Sequence, residues 1–310
     1  MQDVAYIFPG QGSQYPGMGK ELYEAYPESK EVFDKANEIL KFDLTKLCFE
    51  GPKEELTSTE NSQVAILVHS IAALRALENN PAPQFNPKFA LGLSLGEYTA
   101  LVAAGSLSFE DSVKLVRKRG QFMQKAAVKN PGKMACIIGM ELVELEKLSK
   151  GFGCEIANLN CPGQVVISGS SSAVELTAST AKEKGAKRAV MLEVSGAFHS
   201  SLMDPAKEKL EKEIESVTFN SPQYPIICNV TAKPTEDAEE IKKNLITQVN
   251  TKTLFADSIQ YVASQGIKTY LEIGPGQVLK GLLRKIDKSL NVINLEKPAD
   301  FSVLQSTQQQ

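Results

Sequence analysis

Lys88–Gly105 reads KFALGLSLGEYTALVAAG, and its hydrophobic pattern changes halfway. KFAL has the short apolar run of a strand, and EYTALVAAG has the spacing of a helix that stops at Gly105. Between them lies Gly92-Leu93-Ser94-Leu95-Gly96, a Gly-x-Ser-x-Gly. On a sharp strand-to-helix turn such a serine is held in a strained conformation with its Oγ exposed, and the flanking glycines keep side chains from clashing across the turn. The serine also sits at a helix N-terminus, where unpaired N–H groups favour developing negative charge. Ser94 is therefore the candidate nucleophile. The plain alternative is an N-cap, with Glu97 completing a capping box; the preceding strand and both glycines favour the nucleophile.

Working outward, strand and helix signals alternate through the first third. DVAYIF reads as a strand, and GMGKELYEAYPESKEVFDKANEIL as helical with an interruption at Pro27. NSQVAILVHSIAALRALENN is a helix with Asn61 or Ser62 as N-cap and NNPAP closing it, and SFEDSVKLVRKRGQFMQKAA is a helix capped by Ser108. This alternation predicts a parallel sheet covered by helices. Between about Lys133 and Val194 the order becomes β-α-β-β-α-β (KMACIIGM, ELVELEKLSKG, CEIANLN, QVVISGS, SAVELTASTAKEKGA, KRAVMLEV), the ferredoxin-like signature. The last third returns to α/β, with YPIICNV and KTYLEIG as strands. The expected architecture is an α/β-hydrolase-like large domain with a parallel sheet (1–130 and 195–310), interrupted by a small ferredoxin-like domain (131–194). The tail from about 300 to 310 is expected to be disordered.

Composition narrows the function. A net charge of −3 over 310 residues argues against nucleic-acid binding. No apolar run reaches the roughly 18 residues of a membrane helix, and no signal peptide is evident. The five scattered cysteines form no Cys-x-x-Cys, so neither zinc nor a disulfide framework is expected, which fits a reducing compartment. The two histidines, His69 and His199, leave few choices for a base. A serine hydroxyl needs one. His69 lies mid-helix among apolar residues, the usual setting of a packed core histidine. His199, in VSGAFHSSLM, falls in a loop where a domain seam is expected, and seams are where sites gather.

FPGQGSQYPGMG, GLSLGEYTALVAAG, ANLNCPGQVVISGS, VSGAFHSSLM and LEIGPGQVLKGL, in that order from about residue 4 to 285, resemble the malonyl-CoA:acyl-carrier-protein transacylases of fatty-acid synthesis. One departure is visible: Leu93 stands where most members carry a histidine. The resemblance implies a ping-pong transfer of malonyl from coenzyme A to the phosphopantetheine thiol of acyl carrier protein through Ser94, with His199 as base. It also implies a carbonyl, in place of an acid, orienting the histidine, with Gln248 at the matching position. FPGQGSQ lacks the Lys–Ser/Thr of a phosphate-binding loop; by resemblance the N–H groups of Gln11 and Leu95 form an oxyanion hole instead.

A buried malonyl carboxylate calls for a guanidinium. In KLVRKRGQFM, at ~100° per residue and with Val113 at zero, Leu115, Val116, Phe122 and Met123 fall at about 200°, 300°, 180° and 280°. Arg119 falls near 240°, inside that arc, whereas Arg117 and Lys118, near 40° and 140°, fall outside. The plain alternative is a structural ion pair. The family's Arg-Gly-x-x-Met motif marks the same residue together with Met123. Phe198 resembles the bulky residue of malonyl-selective members, and Asn160 and Gln164 are expected to line the cleft from the small domain.

Carrier proteins are acidic, so Lys280, Arg284, Lys285 and Lys288, with Lys187 and Arg188 near the seam, are candidate docking residues; a solvated helix face explains them equally. No cofactor or metal is implied, a monomer is expected, and the setting is bacterial cytoplasm or an organelle interior. Three rivals stand beside this: a serine hydrolase, with Asp204 or Glu193 as the acid; the acyltransferase module of a polyketide synthase, disfavoured by the short flanks; and a non-catalytic carrier-binding module.

Overall fold

The computed structural model describes residues 1–80 and 85–306. The chain runs β1 (Gln2–Phe8), α1 (Lys20–Ala25), α2 (Pro27–Leu40), α3 (Leu44–Glu50), α4 (Lys53–Thr57), α5 (Thr59–Glu78), β2 (Phe85–Gly92), α6 (Leu95–Ala103) and α7 (Phe109–Lys129). It continues through β3 (Gly132–Ile138), α8 (Leu142–Phe152), β4 (Cys154–Cys161), β5 (Gln164–Ser170), α9 (Ser171–Glu183) and β6 (Arg188–Met191). The remainder is α10 (Asp204–Glu215), β7 (Ile226–Ile227), β8 (Pro234–Thr235), α11 (Ala238–Gln248), α12 (Phe255–Ser264), β9 (Thr269–Ile273), α13 (Val278–Ile286), β10 (Asn291–Leu295) and α14 (Pro298–Ser306).

Two sheets organise these elements. The first has the order β10-β9-β1-β2-β7-β8 and is parallel except for the last pair. Its central strand β1 is buried from Val4 to Phe8, the continuous apolar run of a strand covered on both faces. The second, order β4-β5-β3-β6, is antiparallel throughout. Its residues alternate with period two: Ala135, Ile137, Val165 and Ile167 pack in one cluster with Leu145 and Val174 of α8 and α9. Met134, Cys136 and Val166, between them, join the main core.

Several local expectations shift by physical necessity. Pro27 takes the first position of α2, so the helical stretch divides at Tyr26. The N-cap of α5 is Ser58, in place of Asn61 or Ser62, which are buried inside the helix; Asn61 instead donates to the carbonyl of Glu55. The expected closing of α5 at NNPAP falls partly on residues 81–84, outside the described residues. Ser108 caps α7 by accepting from Asp111 N–H at 3.0 Å. KRAVMLEV and YPIICNV pair over only four and two residues, and α3, α4, β8 and β10 add elements with no clear signal. The tail is corrected: α14 runs to Ser306 because Phe301 and Leu304 are buried in the main core, while residues 307–310 lie outside the described set.

The elbow glycines are required by contact. A Cβ at Gly96 would lie 2.1 Å from the carbonyl oxygen of Phe8, and one at Gly92 would lie 2.2 Å from the carbonyl carbon of Gly96. Gly96→Ala is therefore expected to lower stability by at least about 3 kcal/mol, because the obstacle is backbone that no rotamer change can move. Gly151→Ala, in α8 with nothing within 4 Å of the added methyl, should be neutral or gain up to about 1 kcal/mol. Chemical denaturation of the two variants checks the pair; equal midpoints would refute the steric account.

Candidate active site

β1 and β2 are parallel neighbours with Phe8 opposite Gly92. The turns that follow them, Pro9–Gln11 and Leu93–Leu95, therefore leave the same sheet edge, at the carboxyl ends where open parallel sheets place their sites. A Cβ on Gly10 would meet Leu93 O at 2.4 Å, so the two turns touch. Gly12 has open space and serves through its φ of +103° instead. Ser94 stands just before α6 with φ 53° and ψ −100°, a strained conformation for a residue with a side chain. Its side chain makes no capping bond. Its Oγ lies 2.8 Å from His199 Nε2.

His199, also at positive φ, is 4% exposed. Its Nδ1 faces the carbonyl oxygens of Gln248 at 2.8 Å and Thr251 at 3.2 Å. Both are acceptors, so Nδ1 carries the proton and Nε2 is left to accept from Ser94. The seat that an acid would occupy is filled by backbone; Asp204 instead accepts from Asn250 at 2.8 Å, and Glu193 is exposed. Burial, then the positive charge of Arg119, pushes the His199 imidazole down to about 4, against the smaller opposing pull of the two carbonyls. His69, pushed to about 4 by burial, bonds Glu296 O at 3.2 Å and does not line the cleft.

Arg119 is 1% exposed, whereas Arg117 holds Glu60 O and Asn61, and Lys118 pairs with Glu213 at the surface. The Arg119 guanidinium donates to Ser94 Oγ at 3.0 Å, to Gln248 Oε1 at 3.0 Å and to Gln63 Oε1. It also lies 5.3 Å from the Tyr98 ring centroid. Among the described residues no carboxylate forms an ion pair with it. Burial lowers its pKa, with Tyr98 and Glu97 opposing. A buried cation surrounded by neutral acceptors is costly unless a ligand supplies the anion.

These groups open into a cleft of about 200 Å³. Gln11, Leu95, Met123, Phe198, Asn160 and Gln164 all line it, with Leu93 beside them. Leu95 begins α6, so its N–H has no partner within the helix. Asn160 presents a buried Oδ1 without a partner. Gln164 accepts from Lys285 Nζ at 2.9 Å across the cleft mouth. Lys280, Arg284 and Lys285 all lie on α13, whose Val278 and Leu282 line the cleft; Arg284 and Lys285 are exposed and Lys280 is half-buried.

Three further residues belong to the site. Gln63 is a buried amide in the first turns of α5 beside the buried Asn61 and Ser62, and nothing in the sequence sets it apart from them. Asn229 Oδ1 accepts from Ser94 N–H at 2.7 Å, and nothing in CNVT marks it. Glu97, read above only as a capping acid, points away from Ser94 and accepts from Gln248 Nε2 at 2.7 Å and Asn229 N–H at 3.0 Å. Burial pushes its carboxyl up to about 7 despite those bonds and Arg119.

The arrangement is a half-buried serine on a buried histidine beside a guanidinium with no ion-pair partner among the described residues, and known proteins share the whole chain around it. Residues 5–299 match the acyl transferase domain family. The malonyl CoA-acyl carrier protein transacylase of Bacillus subtilis is 47% identical over 303 residues, covering 96% of this chain and 95% of that protein. The acyl-carrier-protein-S-malonyltransferase of Bartonella henselae superposes with a TM-score of 0.94 at 38% identity, over 99% of each chain. A malonyl-transacylase solved in complex with its type II polyketide-synthase acyl-carrier protein gives 0.95 at 36% identity, over 99% of this chain and 100% of that one. With that identity sustained from end to end, this chain belongs to the malonyl CoA-acyl carrier protein transacylase family of acyl transferases.

Proposed function

We propose that this protein transfers malonyl from malonyl-CoA to the phosphopantetheine thiol of an acyl carrier protein, through a malonyl ester on Ser94, to supply fatty-acid elongation. The observation that carries the reading is the unpaired, buried Arg119 guanidinium 3.0 Å from Ser94 Oγ, which is itself 2.8 Å from His199 Nε2. Arg119 lines the cleft and has no ion-pair partner among the described residues, so an incoming carboxylate supplies the anion it lacks.

In the first half-reaction Ser94 Oγ attacks the thioester carbonyl as its proton passes to His199 Nε2. The oxyanion is held by the N–H groups of Gln11 and Leu95, where one lost donor typically costs about 3 to 4 kcal/mol of barrier. Collapse breaks the C–S bond, and the coenzyme A thiolate leaves with the proton from His199. In the second half-reaction His199 takes the carrier thiol's proton, the thiolate attacks the ester, and the proton returns to Ser94 Oγ. No cofactor or metal enters either half. Carbonyls on Nδ1 suit this role, since a carboxylate there would stabilise the imidazolium and make His199 slower to give its proton up. Met123 and Phe198 wall the acyl group, Phe198 against a branched substituent, and Asn160 and Gln164 contact the substrate from the second sheet.

We read the six-stranded part (1–130 and 195–310) as an α/β-hydrolase-like domain. The βαββαβ part (131–194), whose strand order places the first strand between the third and fourth, is read as ferredoxin-like. The cleft lies between them. The partner is an acyl carrier protein, as in the related complex, met by a monomer of this chain in a bacterial cytoplasm; no helix of the described residues is long and apolar enough to cross a membrane. Docking falls to Lys280, Arg284 and Lys285 at the cleft mouth. Reversing the charge of Arg284 and Lys285 should raise KM for the carrier at least about tenfold at low salt, with malonyl-CoA KM little changed; an unchanged carrier KM would remove that assignment.

The pH dependence follows from the single imidazole in the cleft. His199 must be neutral to accept a proton, and its pKa is lowered to about 4. The acidic limb of kcat/KM for malonyl loading should therefore lie well below 6.5, with the rate flat above it. Because the Arg119 charge contributes to the lowering, a bound malonyl carboxylate should move the limb of kcat upward. In stability, His199 contributes a loss as pH drops from 6.5 to about 4, where the unfolded imidazole binds a proton that the folded one does not, and the buried Glu97 and Glu272, pushed up to about 7, contribute with the opposite sign below 7. A kcat/KM limb at 6.5 or above would contradict the buried base. The central test is intact mass after brief exposure to malonyl-CoA. A single malonyl adduct that carrier thiol discharges is expected; no adduct would overturn the reading, and discharge to water as fast as to thiol would favour the hydrolase.

A further inference from the structure

The Ser94 turn is strained, yet neither of its backbone polar groups is held by secondary structure alone. Asn229 Oδ1 takes its N–H at 2.7 Å, and Gln248 Nε2 donates to its carbonyl at 2.9 Å. Asn229 also donates to Gly92 O at 2.7 Å, which ties it to the end of β2. Asn229 follows β7 and Gln248 ends α11, and these two segments meet at one atom: Glu97 Oε2 accepts from the N–H of Asn229 and the amide of Gln248.

We infer that Glu97 is a positioning residue, whose buried carboxylate sets the Ser94 turn and fixes the Gln248 amide so that its oxygen faces Arg119. This rests on the malonyl-transfer reading of the same site. The chemistry of the donors requires it. Glu97 and the Ser94 carbonyl both accept, so Gln248 must turn its NH₂ towards them. That leaves Oε1 for the guanidinium, 3.0 Å away. Without the acceptor at Glu97, the Ser94 carbonyl is the one acceptor left to hold the NH₂ in that orientation, and the amide's hold on the guanidinium slackens. A flipped amide would present NH₂ to a cation and push the guanidinium off its place beside Ser94. What matters is the position of one accepting oxygen, because both bonds fall on Oε2.

Placement and charge separate cleanly by substitution. Glu97→Gln keeps an accepting oxygen at the same reach, pinned there by the Asn229 N–H, and removes the charge. Glu97→Asp keeps the charge and withdraws the oxygen by one methylene. Loading of malonyl and of acetyl onto Ser94 is followed by intact mass in full-length variants, and wild type run alongside tests the transfer reading itself. Glu97→Gln is expected within about fivefold of the wild-type malonyl rate. Glu97→Asp should be at least tenfold slower than Glu97→Gln, with the malonyl-to-acetyl preference reduced as Arg119 loses its register. Combined with Gln248→Ala, Glu97→Asp should add nothing beyond the slower single variant, the signature of two residues acting through one contact. A smaller gap between the two variants, an unchanged malonyl-to-acetyl ratio or full additivity would overturn the inference while leaving the Ser94 adduct of wild type intact. Should Glu97→Asp fail to fold, Glu97→Gln decides alone: a malonyl rate more than fivefold below wild type means the charge was needed, and the inference falls.

Discussion

Ser94→Ala is expected to gain no malonyl mass on exposure to malonyl-CoA and to lose about five orders of magnitude or more in transfer rate. That scale follows the loss of a nucleophile whose base and oxyanion site act as a unit with it. The expectation is sharp because, among the described residues, no cysteine, lysine or second serine lines the cleft. All five cysteines are buried, and burial pushes their thiols upward, Cys48 to about 12. A thiol kept protonated is a poor nucleophile. His199 has its Nδ1 engaged by two carbonyls and its Nε2 aimed at Ser94. An adduct on Ser94→Ala at the wild-type rate would move the chemistry to another residue and end the Ser94 reading.

Arg119→Ala should lower malonyl loading by roughly a hundredfold to a thousandfold, while acetyl loading changes by no more than about tenfold. Truncating one partner of a buried, hydrogen-bonded charge pair costs about 2–5 kcal/mol, and only malonyl brings the second partner. The smaller acetyl effect comes from the bonds Arg119 makes without substrate, to Ser94 Oγ and Gln248 Oε1. Arg119→Lys should not restore malonyl, since a point charge cannot replace a fork that reaches Gln63, Gln248 and Ser94 together. A second consequence is independent of affinity. Arg119 is a cause of the lowered His199 pKa, so its removal should move the acidic limb of acetyl loading to higher pH. Equal losses for malonyl and acetyl would deny Arg119 its part in substrate choice.

Much of the site could be read before any coordinates, and the parts that could not have a common origin. Arg119 was found by angle on its own helix, because side chains three and four apart share a face whatever surrounds them. Ser94 was found from glycines two residues away on either side. Gln248 entered only through resemblance, and its side chain, which bonds Arg119, Ser94 and Glu97, had no local mark. Asn229 had none at all. Glu97 enters the sequence reading only through the capping alternative that the glycines outweigh, because spacing three residues after a serine is the same whether the carboxylate turns back or turns inward. The start of the tail is of the same kind: up to Ser306 it looks polar and terminal, and the packing of Phe301 and Leu304 against the main core makes it part of α14.

By itself the amino-acid order determined the longer elements, their α/β alternation, the glycine-flanked serine turn and the inward face that carries Arg119. Each of these is decided by steric and periodic constraints acting over a few residues. Tertiary structure alone decided which acceptors meet the imidazole, and that backbone carbonyls fill the place of an acid. It also decided that one oxygen of Glu97 joins segments 132 and 151 residues away. Those outcomes hang on the register of β1 against β2 and on where β7 and α11 end in space. A hydrogen bond is selected by direction and distance to within fractions of an ångström, and no short stretch of sequence encodes that across the fold.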